Sequence, residues 1–521
     1  GFLLLWLLPS LLRARSSAET RPRSMPCQQS PTKVSCKGLS LQEFPKELGQ
    51  GIKHLELSNN FIRNLSGSSM AGFEQLEYLD MSFNQLEAVS APTLAQLPRL
   101  RSLLLRSNHL DQNFLANGEA FRQLRNIEVL DLSVNDLQSH MAGWYISNLT
   151  SLRVLDLSGN RLTRLLAGTF RSTARLRRLD LSSNYIMEIQ EGAFEPLQEL
   201  EVVNLALNSI HCISGFSLTQ LRVLNLSHNA LELFSSSEGV QPYLLQVLDL
   251  SHNRLLYFPE LPKAHDLTHL NLSNNLIASL LPGSHGLEDF VLPYKEMGRF
   301  NRTVHPVAAL TRVVDLDLSN NRLELLPLTF FHSLGSLHSL RLARNCLQEV
   351  ARESLTTSTE PADPPPSPPQ HTELSVRSLD LHGNALRVLP RWFFDSLPQL
   401  ERLDLGSNSL QPCKSQGSDR GGGLEGGSHF AAPGDTCTPF YNLDESRAAL
   451  PCLGTLRVLD LAGNQLSLLP AGLSCSPLES LDIRNNSLKA LGTLGSWSHS
   501  LREVSLAGNP FSCCSLGWLD S

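Results

Sequence analysis

A nine-residue pattern, L-x-x-L-x-L-x-x-N, returns along almost the whole chain and leaves few folds open. Clear copies are LEYLDMSFN ending at Asn84, LRVLDLSGN at Asn160, LRRLDLSSN at Asn184 and LRVLNLSHN at Asn229. The asparagines stand at 60, 84, 108, 135, 160, 184, 208, 229, 253 and 275, then at 321, 345, 384, 408, 464, 486 and 509. That makes seventeen copies with a commonest step of 24 residues. In LRVLDLSGN, Leu155 and Leu157 alternate toward one side of a short strand while Asp156 points the other way. Leu152 reaches the same interior from the approaching turn. Asn160 carries two amide donors and an acceptor, so it can satisfy main-chain groups where the chain turns. One such turn cannot bury its own leucines, and neighbours must stack.

The period lies in the leucine-rich-repeat range. It predicts an α/β fold of one kind, a leucine-rich-repeat solenoid. This is a horseshoe with short parallel strands on its concave face and disulfide caps at its ends. A length of 521 residues would otherwise suggest several globular domains. Outward strand positions hold Asp80, Asp131, Asp156, Asp180, Asp249, Asp317, Asp380 and Asp404, with Asn204, Asn225 and Asn271 at equivalent sites. They read either as an acidic, amide-lined docking surface or as polar residues copied along the solvent side of a repeat.

The boundaries follow. Residues 1–18, with an apolar run from Phe2 to Leu12 and then Ser16, Ser17 and Ala18, resemble a secretory signal whose start is incomplete. An N-terminal cap is expected over 19–51, repeats over 52–509, and a truncated C-terminal cap over 510–521. Three inserts interrupt the repeats, near 276–312, 355–372 and 413–437. The first is expected to hide one degenerate turn plus a loop, the second is proline-rich and the third glycine-rich. Beyond the leader no apolar run is long enough to span a bilayer. A net charge of −7 argues against nucleic acid as a partner.

Ten cysteines remain to be placed. Cys27 and Cys36 sit before the first repeat, where a bridge would shield its open end. Cys413 and Cys437 bracket the glycine-rich insert, and Cys452 and Cys475 lie one repeat apart. Cys513 and Cys514 begin the C-terminal cap, with partners expected further on. Cys212 and Cys346 are left over, five or six repeats apart. At about 4.8 Å per strand that is roughly 24–29 Å, whereas a disulfide needs Cα atoms about 4.4–6.8 Å apart. Unpaired thiols in an oxidising compartment suggest intermolecular bonding. The alternative is a pair of buried cysteines acting as small apolar residues. Leu347 is the inward neighbour of Cys346, so Cys346 itself is expected to face outward.

The stretches NSIHCISGFSLTQLRVLNLSHNALELF, ARNCLQEV, LDIRNNSL and LAGNPFSCCSLGWL are similar to a known family. It is the family of leucine-rich-repeat carriers of latent transforming growth factor-β (TGF-β) that includes GARP and the negative regulator of reactive oxygen species. The resemblance implies a cell-surface carrier whose two ectodomain cysteines form disulfides with the two pro-domain chains of the latent growth factor. By match of NSIHCIS and ARNCLQ these are Cys212 and Cys346. It also implies a single membrane anchor downstream of the C-terminal cap, and integrins that pull on the pro-domain to free the cargo. The interval from Cys437 to Leu456 is shorter than the family pattern and the glycine-rich insert longer.

A Toll-like or adhesion receptor binding its ligand noncovalently shares the repeats and is the competing reading. An enzyme is not expected: no phosphate loop, zinc-spaced Cys/His set or G-x-S-x-G elbow occurs. No catalytic residue, metal or cofactor is therefore assigned. Sequons at Asn64, Asn148, Asn225, Asn271, Asn301 and Asn485 suit a glycosylated extracellular chain.

Overall fold

The computed structural model describes residues 27–280 other than 46, 47, 50, 238–240 and 263, and residues 310–351 other than 328–333. It also describes 374–410 other than 388, 390–392 and 395, then 453–490 other than 470–472, 474 and 475, and lastly 500–511. Each repeat contributes a three-residue strand such as Tyr78–Asp80, Val154–Asp156 or Val247–Asp249, its middle leucine buried and its flanking residues half-exposed. Among the described residues these join into one nineteen-stranded sheet. It opens on an antiparallel hairpin, Gln28–Gln29 with Lys33–Ser35. From there neighbours run parallel and in register, as in Leu55↔Leu79, Leu130↔Leu155, Leu155↔Leu179 and Leu224↔Leu248.

Registration stacks like on like. Leu155, Leu157 and Leu152 are all essentially sealed, and so are their counterparts in other turns. Full burial of a leucine is worth roughly 1.5–3 kcal/mol, which becomes available only when the next turn covers it. The asparagines complete the stack. Asn160 donates from Nδ2 to Leu132 O (3.0 Å) and Leu157 O (2.9 Å), and its Oδ1 accepts from Asn135 N and Leu137 N. Asn184, Asn253 and Asn408 repeat the arrangement. Asn135 departs from it: its amide donates normally, but its buried Oδ1 has no partner. The turn before it carries the helix Phe114–Phe121, one of three short helices crowded on the back of the early repeats with Ala91–Ala95 and Ser139–Tyr145.

Among the described residues the sheet runs on without a gap across each insert. His269–Asn271 pairs directly with Asp315–Asp317, and Ile277 N donates to Asn321 Oδ1 as if the two asparagines were one ordinary repeat apart. The degenerate turn expected between Asn275 and Asn321 falls on 281–309, outside the described residues, and the two described rungs on either side of it are direct neighbours. The strand Ser339–Arg341 likewise meets Ser378–Asp380, and Arg402–Asp404 meets Val458–Asp460. At the N-terminal end Cys27 and Cys36 are disulfide-bonded, and Val34 lies in register over Leu55 to close the first turn. Cys413, Cys437, Cys452, Cys475, Cys513 and Cys514 lie outside the described residues.

Candidate functional site

Cys212 and Cys346 are both free and exposed. Cys212 opens the strand Cys212–Phe216, which pairs in parallel with Leu233–Ser236 on the flank that leaves the main sheet. Comparable flank pairings elsewhere are two or three residues long, such as Asn64–Leu65 with Ala88–Val89. Here Gly215, at φ 66°, lets the strand bulge and carry on to Phe216. Phe216 is buried and packs on Phe234 and Tyr243, ring centroids 5.6 and 6.0 Å away. That aromatic anchor holds the far end of the strand while its first residue faces outward. Burial of the sulfur among its neighbours, and then the negative charge of Glu232, push the Cys212 thiol above the ordinary range, with a Ser214 hydrogen bond opposing them.

Cys346 is held by its backbone. Its N–H donates to Leu323 O (2.9 Å), and the next residue, Leu347, is fully buried with its N–H on Asn384 Oδ1 (3.2 Å). The side chain between these fixed points is turned outward. The sealed-core alternative is therefore set aside for both residues. The ladder from Asn208 to Asn345 has five steps, about 24 Å at ~4.8 Å per strand, so the sulfurs are far beyond mutual reach. Cys346 is the first residue after its ladder asparagine and Cys212 the fourth, so they open on the same flank at different depths.

Sequence reasoning missed what flanks Cys212. Tyr185 and Met187 are 61% and 57% exposed, and Ser209 N donates to Ile186 O, so their turn lies beside the one bearing Cys212. The readable signal was apolar residues at turn positions that most other repeats fill with polar ones.

The strand-face acids have structural work. Asp80, Asp156 and Asp249 each accept the backbone N–H two residues on, at 2.8–2.9 Å, capping the turn that leaves the strand. Asn225 and Asn271 do the same through Oδ1, at 3.0 and 3.1 Å. Burial, with Asp131 and Asp180 beside it, pushes the Asp156 carboxyl up; burial, then Asp460 and Asp380, does so for Asp404. Asn64, Asn148 and Asn485 are exposed, Asn225 and Asn271 half-exposed, and Asn301 lies outside the described residues. Among the described residues no cluster of three or more His, Cys, Asp or Glu could hold a metal ion, and no helix is long and apolar enough to cross a membrane.

These features define a leucine-rich-repeat protein. The leucine-rich-repeat family profile matches residues 50–110, 139–186 and 174–231, and a second repeat profile matches 455–476. The fold resembles Toll in the Drosophila Toll–Spätzle complex (TM-score 0.61, 18% identity, 90% of this chain and 55% of that one). The mouse protein named transforming growth factor beta activator LRRC32 is 34% identical over 89% of this chain and 69% of its own length. Its orangutan (Pongo abelii) counterpart is 35% identical over the same shares, and zebrafish LRRC33 is 28% identical over 78% of this chain and 62% of its own. The chain belongs to the LRRC32/LRRC33 family, the one that includes GARP.

Proposed function

We propose that this protein binds latent TGF-β and holds it covalently through Cys212 and Cys346 for integrin-dependent release at the cell surface. The observation that carries the reading is the pair of free, outward thiols set five turns apart on one flank. The names of the relatives, TGF-β activators, supply the cargo. Each bond forms when a carrier thiolate attacks a disulfide joining the partner's cysteine to a disulfide-donating oxidoreductase of the secretory pathway. The oxidoreductase's thiolate leaves and takes the proton. Burial and the Glu232 charge disfavour the Cys212 thiolate, which slows its stray oxidation. Exposed Tyr185 and Met187 offer an apolar contact beside it. Two attachments resist pulling far better than noncovalent contacts. The protein is then an extracellular carrier, glycosylated at exposed asparagines such as Asn64 and Asn148, and without enzymatic activity.

The test is co-expression with latent TGF-β and electrophoresis without reductant. The intact chain should form a high-mass species that reductant dissolves. Cys212→Ala with Cys346→Ala should abolish it while secretion continues, and each single variant should leave one attachment. Cargo capture with no reducible species at any stage would favour the noncovalent receptor reading.

A further inference from the structure

Between Arg99 and Arg178 the chain carries twelve arginines and six acidic residues, inside a chain of net charge −7. Several of these arginines converge on a groove of about 410 Å³ at the edge where the chain enters the strands Ser102–Leu104, Val129–Asp131 and Val154–Asp156. Its lining brings Arg99, Arg101, Arg153 and Arg175 together against two carboxylates, Glu77 and Glu128. Both carboxylates are occupied. Glu77 is bonded to Lys53 at 2.9 Å, and Glu128 lies between Arg101 (3.2 Å) and Arg153 (4.0 Å), holding two guanidinium groups side by side. Arg99 and Arg175 are exposed and make no side-chain hydrogen bond or ion pair among the described residues. Their nearest arginine neighbours show the contrast, since Arg177 is clasped by Glu199 at 3.0 Å. The floor is fixed by ties between adjacent turns, Asn126 Nδ2 to Pro98 O (2.8 Å) and Ser151 Oγ to Arg125 O (3.1 Å).

We propose that this groove binds a sulfated polysaccharide chain. A cleft with cationic walls focuses the field on an incoming anion, and guanidinium groups bind the flat faces of oxyanions through paired donors. The arginines stand on turns spread over three strand spacings, about 14 Å. That is too long for one small anion and suits sulfate groups spaced along an oligosaccharide. A sulfated glycan is also the polyanion that a repeat protein of the extracellular space meets. This site is separate from the cysteine flank and does not depend on the cargo assignment.

The test uses the intact chain and an immobilised heparin oligosaccharide, with its desulfated counterpart as the second surface. Binding is expected to the sulfated surface alone and to fall steeply as salt is raised. Arg99→Ser with Arg175→Ser should weaken it about tenfold or more, with the thermal transition and the reducible cargo adduct unchanged. Arg175→Glu alone gives a second reading should the double variant misfold. Equal binding to the desulfated chain, or unchanged affinity in the folded arginine variants, would overturn the proposal. So would stronger, arginine-dependent capture of anionic lipid vesicles.

Discussion

The strand face and the flank of this solenoid are made from the same repeats and treat them oppositely. On the strand face most described turns do nearly the same thing: a leucine in, an aspartate or asparagine capping the exit, an asparagine tying two turns together. On the flank the turns diverge, and one of them stretches into Cys212–Phe216 with a bulge and an aromatic anchor. Repetition supplies stability there is no need to vary, and the flank is free to carry individual chemistry because the face holds it still.

That contrast can be broken in several ways. Leu224→Ala, beneath the turn next to Cys212, should cost about 2–5 kcal/mol in denaturant unfolding, whereas Cys212→Ala and Cys346→Ala should each stay within about 0.5 kcal/mol. Equal losses would mean that the flank is as much a part of the core as the face. The ladder itself is not uniform. Asn160→Ala removes three donated and two accepted bonds and should cost about 3 kcal/mol, and Asn135→Ala distinctly less because its Oδ1 already lacks a partner.

Asp404→Asn keeps the cap and removes a charge flanked by Asp380 and Asp460. It should stabilise by about 0.5 kcal/mol at neutral pH. The sign follows from the raised carboxyl. Its contribution to stability is complete below the unfolded carboxylate pKa and is lost as pH rises through the folded value, so the gain from the amide should vanish on acidification. The smallest effect concerns Cys212: its alkylation should show a midpoint above that of a simple thiol, and Glu232→Gln should lower that midpoint.

Most of the face was legible, because a period of 24 residues with a leucine triplet and an asparagine admits one stacking. The flank was not. Nothing in CISGF announces that Gly215 bends the strand and lets Phe216 reach Phe234 and Tyr243. Backbone shape was also hidden: Phe83, Val134 and Leu207, each just before a ladder asparagine, adopt φ of 56°, 55° and 57°, where the sequence offers no glycine. The neighbouring turns impose that conformation. The two thiols were legible as residues left without a mate, but their outward aim needed Leu347 and the Phe216 anchor in place. The arginine groove carries no motif, and its one trace in the sequence, arginine recurring just ahead of strands, went unread.

The insert between Asn275 and Asn321 falls between the two free sulfurs, yet the chain returns to the very next rung. Spacing along the molecule is therefore counted in rungs and not in residues. Any ornament grown at that loop would leave the gauge between the sulfurs unaltered. Removing a single rung would shorten it by one notch and misalign both hooks at once.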